Sequence, residues 1–292
     1  MEIDSQSILQ RVKNLELTSR KLVDSLFAGN YRSVFKGPGL EFNEVRGYVP
    51  GDDVRFLDWN VSSRMGSPYT KTYREEREMV LNLVLDLSAS LNSGSGKQSR
   101  RDVSALIFSL LSYSAVANND RVGAIFFSDK VESWVPPLKG KKHISRLIQE
   151  CLSMSSSGKG TDLALALRTS IETMKRRGIV VIISDFKTTG YWRELTLLAR
   201  KHDVIAIRIT DPIEEDFPPV GAVSLVDPES GHSLFSWGRN RKFCKEYHDY
   251  WALNTINWQR ECRKRRVDTM ILSTADDPAQ KLIQFFEHRR SK

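Results

Sequence analysis

Asp86, Ser88 and Ser90 stand at alternate positions at the end of the run Val80-Leu-Asn-Leu-Val-Leu-Asp-Leu-Ser-Ala-Ser90. A carboxylate and two hydroxyls at that spacing can converge on one point. Oxygen donors, few charges and retained waters are what a small hard cation takes. Two more oxygen-bearing residues occupy comparable places. Thr161 lies in a loop before a helical pattern, and Asp185 follows the apolar run Ile179 to Ile183 and Ser184. The five side chains supply two carboxylates and three hydroxyls. The carboxylates balance a divalent charge, the hydroxyls leave the ion electrophilic, and one position can stay open for an incoming carboxylate. Thr161 can also N-cap the following helix, whereas Asp162 reads as a charge in its first turn.

These residues work together only if the chain brings them to one place. Val80 to Asp86 is almost continuously apolar, as in a parallel strand covered on both faces. Helical periodicity follows over Asp102–Ala117, with strands at Val122–Phe127 and Val131–Val135, the last closed by Pro136-Pro137 and so placed at an edge. A helix is read around Ile144–Leu152, a Ser/Gly loop at Ser153–Gly160, and a helix over Asp162–Lys175. Strand Ile179–Ile183, a helix near Trp192–Arg200 and strand Val204–Ile209 continue the alternation. That pattern is an α/β fold with a doubly wound, mostly parallel sheet. In such sheets ligands bind beyond the carboxyl ends of strands, where Asp86 and Asp185 would fall on adjacent strands.

The flanks are less regular. Ile3–Phe27 reads as a helix stopped by Gly29-Asn30. Gly37–Tyr73 is rich in Gly, Pro, Asp and aromatics, with a turn at Pro50–Asp53 and a short strand at Tyr69–Tyr73. Val223–Val226 and Ser233–Trp237 read as a hairpin around Asp227–Gly231. Arg239–Arg266 reads as one long helix with Phe243, Tyr247, Tyr250, Trp251, Asn254 and Trp258 near one face, its Trp and Tyr stripe read as core ahead of a base-stacking platform, before a strand at Val267–Leu272 and a helix at Lys281–Glu287. The expected division is 1–77 as N-terminal helix and leader, 78–212 as the α/β domain, and 213–292 as a hairpin and helical extension packed on the same sheet.

With 292 residues, 40% of them hydrophobic, the chain can bury a sizeable core, and its net charge of +8 permits an acidic partner without demanding one. The basic residues are spread along the sequence. Arg263–Arg266 reads as the solvated end of a helix. Cys151, Cys244 and Cys262 are far apart, which fits a reducing compartment. No secretory signal or spanning segment is visible, so a cytoplasmic location is expected. His143, His202, His232, His248 and His288 are scattered, and no GxSxG, GxxxxGK or HExxH motif occurs. A metal-assisted phosphohydrolase would use an ion at the same place, but no second metal set or general base accompanies it. Nucleic-acid binding rests on charge alone.

Asp86-x-Ser88-x-Ser90, Thr161 in Gly160-Thr161-Asp162, and Asp185 after an apolar strand resemble the metal-ion-dependent adhesion site of von Willebrand factor A domains, over roughly residues 78 to 212. The resemblance implies Mg²⁺, with Mn²⁺ or Ca²⁺ as substitutes, held largely directly by Ser88, Ser90 and Thr161 and through water by Asp86 and Asp185. Phe186 stands where many such domains carry glycine. Upstream, Glu41-Phe42, Arg46-Gly47-Tyr48, Pro50-Gly51-Asp52-Asp53, Arg55, Asp58-Trp59 and Tyr73-Arg74-Glu75 resemble the bacterial family called domain of unknown function fifty-eight. That resemblance implies a bacterial cytoplasmic or membrane-proximal protein working with a MoxR-type AAA+ ATPase, and the expected role is a non-catalytic module whose ion captures an acidic side chain of that ATPase or its client. In the leader, Arg46, Asp52, Asp53, Arg55 and Asp58 read as a salt-bridged turn. Arg46, Asp52, Arg55 and Asp58 are also its candidates for partner contact. Trp59 reads as a core residue.

Overall fold

The computed structural model describes residues 41–74, 79–96, 98–154, 160–215, 217, 221–226, 233–237 and 240–291, with 13, 14, 16–19 and 22 from the N-terminal stretch. Most of the helix expected over Ile3–Phe27, with its stop at Gly29-Asn30, lies outside these residues, as do Glu75–Glu78 and the turn Asp227–Gly231. The chain forms two compact units, Phe35–Met79 and Met1–Val34 with Val80–Lys292.

The smaller unit is built on an antiparallel pair, β1 (Glu41–Gly47) and a second strand, with α1 (Trp59–Met65) between them and β2 (Tyr69–Arg74) closing it. Charges fix its turns. Arg46 Nη2 lies 2.8 Å from Asp52 Oδ1, and Asp52 Oδ2 accepts from Val49 N. Asp53 accepts from the Arg55 backbone and pairs with its guanidinium. Asp58 caps α1 by accepting from Asn60 N and Val61 N, and meets Lys71 Nζ at 3.2 Å. Gly66, at φ +70°, ends the helix where a side chain would be strained. Neither β1 nor α1 announces itself in the sequence, because α1 buries no residue and owes its existence to a cap and a stop. For the same reason Trp59 is not in a core but 73% exposed.

The larger unit runs β3 (Val80–Asp86), α2 (Arg100–Ala117), β4 (Arg121–Phe127), β5 (Val131–Leu138), α3 (Lys141–Ser153), α4 (Leu163–Thr173), β6 (Ile179–Ser184), α5 (Trp192–Lys201), β7 (Asp203–Thr210), a short α6 (Pro212–Glu215), the hairpin β8 (Ala222–Val226) and β9 (Ser233–Trp237), α7 (Arg241–Lys264), β10 (Asp268–Ser273) and α8 (Pro278–Arg290). Six strands form one sheet in the order β10-β7-β6-β3-β4-β5. Every neighbouring pair is parallel except β4 with the edge strand β5. The chain winds outward from β3 through β4 to β5, then returns to lay β6, β7 and β10 on the other side. Strand order therefore reverses between β3 and β6, which opens a crevice above their carboxyl ends.

Alternate strand residues face opposite layers. Val84, Val180, Ile182, Val204 and Ala206 pack with Leu163, Ala166 and Leu167 of α4, Leu195 and Leu198 of α5, and Trp258 and Cys262 of α7. Gly178, just before β6, sits against β3: a Cβ there would lie 2.5 Å from the Val80 carbonyl oxygen and 2.9 Å from Met174 Cε. Gly178→Ala is therefore expected to destabilise the protein by about 1–3 kcal/mol, read as a lower urea midpoint. An unchanged midpoint would refute the close approach.

All three cysteines are free. No helix among the described residues is long and apolar enough to cross a membrane.

Candidate functional site

Asp86 ends β3, and Asp185 follows the last residue of β6, its parallel neighbour. The two strands run in register, Leu85 beside Ile183, so the next residues, Asp86 and Ser184, lie side by side. Ser184 Oγ donates to Asp86 Oδ2 at 2.6 Å. The other Asp86 oxygen accepts from Ser88 N at 2.8 Å, and Ser88 Oγ and Ser90 Oγ are 3.0 Å apart. Asp86, Ser88, Ser90 and Asp185 are all buried. By the strand period Asp86 shares a face with Val84, the face covered by α4. Thr161 arrives on that side, two residues before α4. Its loop is tied to the segments after β4 and β6: Asp162 N donates to the carbonyl of Ser128, and Thr188 Oγ1 donates to the carbonyl of Thr161 at 3.0 Å. The cap of α4 is Asp162, which accepts from Leu165 N, and not Thr161 as the sequence pattern allows.

Electrostatics sharpen the picture. Burial, followed by the facing charge of Asp185, pushes the Asp86 carboxyl up to about 7, against the opposing bonds from Ser184 and Ser88. Asp185 Oδ1 accepts from Lys187 N at 3.2 Å, whereas its buried Oδ2 finds no hydrogen-bond partner among the described residues. Two carboxylates out of water, one with an orphaned oxygen, form a costly arrangement. Its composition, two carboxylates and hydroxyls at a strand-end crevice, is what a small hard divalent cation would relieve.

Phe186 takes φ +53°, a left-handed conformation that glycine adopts without strain and a bulky residue does not. Its ring is buried 4.9 Å from Trp258 and 6.0 Å from Tyr191, centroid to centroid, so aromatic packing offsets the backbone cost.

Three residues not singled out in the sequence complete the surroundings. Arg208, one strand further along beside Ser184, is almost fully buried; Nη2 donates to Asn254 Oδ1 at 2.9 Å and the guanidinium stacks 5.5 Å from the Trp258 ring. Desolvation lowers its pKa, opposed by the charges of Glu214 and Asp185. A charged residue inside the apolar run Val204–Thr210 is the signal that marks it. Glu214, in α6, is buried between Arg100 and Lys187, whose Nζ lies 2.7 Å away. Asp211 is pushed up by burial, but bonds from Ser95, Thr274 and Ile213 N outweigh this and hold it below the usual carboxylate range. It thereby pins the polar loop after Ser90 to the ends of β7 and β10. No sequence pattern pairs Ser95 with Asp211, because they are brought together only by the sheet order.

Fold and site define a mixed α/β protein with a cluster of buried oxygen donors at the reversal point of a mostly parallel sheet. The chain belongs to the family described as Protein of unknown function DUF58, which matches residues 44–255. It is 34% identical over 233 residues to an uncharacterized protein of Mycobacterium tuberculosis (strain ATCC 25618 / H37Rv), covering 79% of this chain and 74% of the relative. An uncharacterized protein of Mycobacterium avium is 35% identical over 100 residues, covering 33% of this chain and 59% of the relative. Among solved structures the chain is similar to the conserved hypothetical protein BatB from Bacteroides thetaiotaomicron (17% identity, TM-score 0.48, 73% of this chain and 100% of that one). It is also similar to the SpRpn10 VWA domain (10% identity, TM-score 0.39, 71% and 94%).

Proposed function

We propose that the protein is a non-catalytic interaction module that captures an acidic side chain of a partner through a divalent cation, Mg²⁺ in the first instance. Asp86, Ser88, Ser90, Thr161 and Asp185 would hold it. The observation that carries this reading is the pair of buried carboxylates on neighbouring parallel strands, one with an unpartnered oxygen, surrounded by neutral hydroxyls. When bound, such an ion supplies a Lewis-acidic centre whose charge the two carboxylates only just balance, which favours one more carboxylate from outside. The chain's own residues fix the shape of that centre. Ser184 orients Asp86, Asp211 holds the loop after Ser90, and Thr188 holds the backbone at Thr161. The family resemblance points to a MoxR-type AAA+ ATPase or its client as the partner. Arg46, Asp52, Arg55 and Asp58 make local pairs and caps within the leader, which supports a structural role for them ahead of partner contact.

The test is a pull-down of the ATPase or client in Mg²⁺ and in EDTA, with wild type and Asp86→Ala. Both EDTA and the substitution are expected to reduce capture by at least tenfold, with an unchanged circular dichroism spectrum as the check on folding, since the substitution removes a buried charge but also the acceptor of Ser184 Oγ and Ser88 N. Undiminished capture in EDTA would sink the reading, and Mg²⁺-dependent turnover of phosphate esters would replace it with an enzymatic one.

A further inference from the structure

Three basic runs that are far apart in the sequence meet at one edge of the sheet. Lys175, Arg176 and Arg177 precede β6, Arg200 and Lys201 end α5 just before β7, and Arg263–Arg266 lead into β10. Those strands are consecutive in the sheet and parallel, with Ile179 beside Asp203 and Ile205 beside Asp268. The runs therefore gather at the amino-terminal edge, opposite Asp86 and Asp185. Gly178 N donates to His202 Nδ1 and Lys201 Nζ to the Met174 carbonyl, which binds the first two runs together. Burial, then the charges of Lys201 and Arg177, hold His202 down to about 4.

Three acids at this edge are engaged, whereas Glu172, in the last turn of α4, is exposed. Arg289 takes Asp203 at 2.5 Å and Asp268 at 2.9 Å, and Glu261 takes Lys264 and Arg265. Lys175, Arg176, Arg177, Arg200, Arg263 and Arg266 are exposed, and none pairs with a carboxylate among the described residues.

A second feature lies further up α7, the helix whose end supplies the third run. Tyr250, Leu253 and Ile256, at three-residue steps along α7, are 61%, 59% and 59% exposed, although Tyr250 reads as core in the sequence. Trp258 and Cys262 mark the opposite, buried face of the helix. The outer stripe begins beside exposed Asp249, is apolar for about 10 Å from Tyr250 to Ile256, and continues for about 12 Å through exposed Arg260, Arg263 and Lys264 to the basic edge.

We propose that this basic edge and the outer stripe of α7 together form a docking surface for a membrane bearing anionic phospholipid headgroups. Cations alone would suit nucleic acid equally well. Exposed tyrosine, leucine and isoleucine running into a cationic end favour a lipid surface, which takes apolar side chains at the headgroup boundary and neutralises the cations beside them. Docked this way, α7 lies along the membrane with its basic end at the amino-terminal edge, and its Tyr250–Ile256 segment is level with the ends of β6 and β7, where Asn254 meets Arg208.

The experiment is flotation of the full chain with vesicles of phosphatidylcholine alone or with about 30 mol % phosphatidylglycerol. Binding is expected to the anionic vesicles only, and to weaken as sodium chloride rises from about 0.05 to about 0.5 M. Each cation contributes about fivefold to partitioning, so Arg176→Gln/Arg177→Gln/Arg263→Gln should lower it about 100-fold. Leu253→Ser/Ile256→Ser should lower it about tenfold at unchanged charge. All five positions are exposed, and equal circular dichroism spectra confirm intact folds. Equal flotation on both vesicle types, or none, would overturn the proposal. So would vesicle binding indifferent to the Leu253/Ile256 pair together with tight duplex DNA binding, or a dimer in solution that this pair converts to monomer.

Discussion

Glu214→Ala is expected to cost about 3–5 kcal/mol of stability, the usual consequence of removing one member of a buried ion pair. Glu214 and Arg100 are both almost fully buried and in contact, with Lys187 closing on the same carboxylate. Without Glu214, the Arg100 guanidinium keeps, among the described residues, the Ser90 carbonyl and Ser93 hydroxyl as acceptors and remains a charge out of water. The effect reaches the candidate site, because Lys187 is two residues beyond Asp185 and Arg100 starts the helix after the Ser88–Ser90 turn. The melting temperature should fall by roughly 10 °C, and chemical denaturation should give a matching loss. Arg100→Met/Glu214→Leu should recover a large part of it, since apolar replacement of both partners abolishes the stranded charge. If the single and double variants were equally unstable, the cluster would matter for its shape and not for its charge.

The contrast between Glu214 and Asp86 marks how far the sequence could be read. β3, β6 and β7 are legible because strands buried on both faces must be apolar throughout, and α2 by its apolar periodicity, although the capping box of Ser99 with Asp102 starts it at Arg100, two residues before the start read from the sequence. Asp86, Ser88, Ser90, Thr161 and Asp185 are legible as oxygen side chains placed where apolar strands end or helices begin. Contacts across large sequence separations are not. Ser95 with Asp211, Arg100 with Glu214 and Arg208 with Asn254 depend on strand order, which no local pattern encodes. The charge distribution is misleading for the same reason. Basic runs that look dispersed along the chain are collected at one edge by parallel winding. Tyr250 fails differently: it lies three residues from Tyr247 and four from Asn254, as helical spacing requires, but a helix packed on one side has room for only part of a wide aromatic stripe.

Cation-free protein is expected to lose stability as pH rises from about 4 to about 7, contrary to the usual behaviour of a carboxylate. Asp86 titrates near 3.8 when unfolded, and burial and Asp185 push it up to about 7 in the fold. Below pH 4 both states hold the proton and the group contributes no slope. Between those values the unfolded chain releases the proton while the fold retains it, so each step upward in pH favours unfolding. Above about 7 both states are ionised and the penalty, of order 2–4 kcal/mol, is complete. Urea unfolding in EDTA across this range should show the decline, and Asp86→Asn should flatten it and exceed wild type in stability at pH 8. On the proposed reading the same proton competes with the cation, so apparent Mg²⁺ affinity should rise about tenfold per pH unit up to about 7 and then level off. A decline in EDTA without any Mg²⁺ rescue at pH 8 would leave the buried carboxylates in place and remove the ion. A flat curve would remove the close approach of Asp86 and Asp185 on which both effects depend.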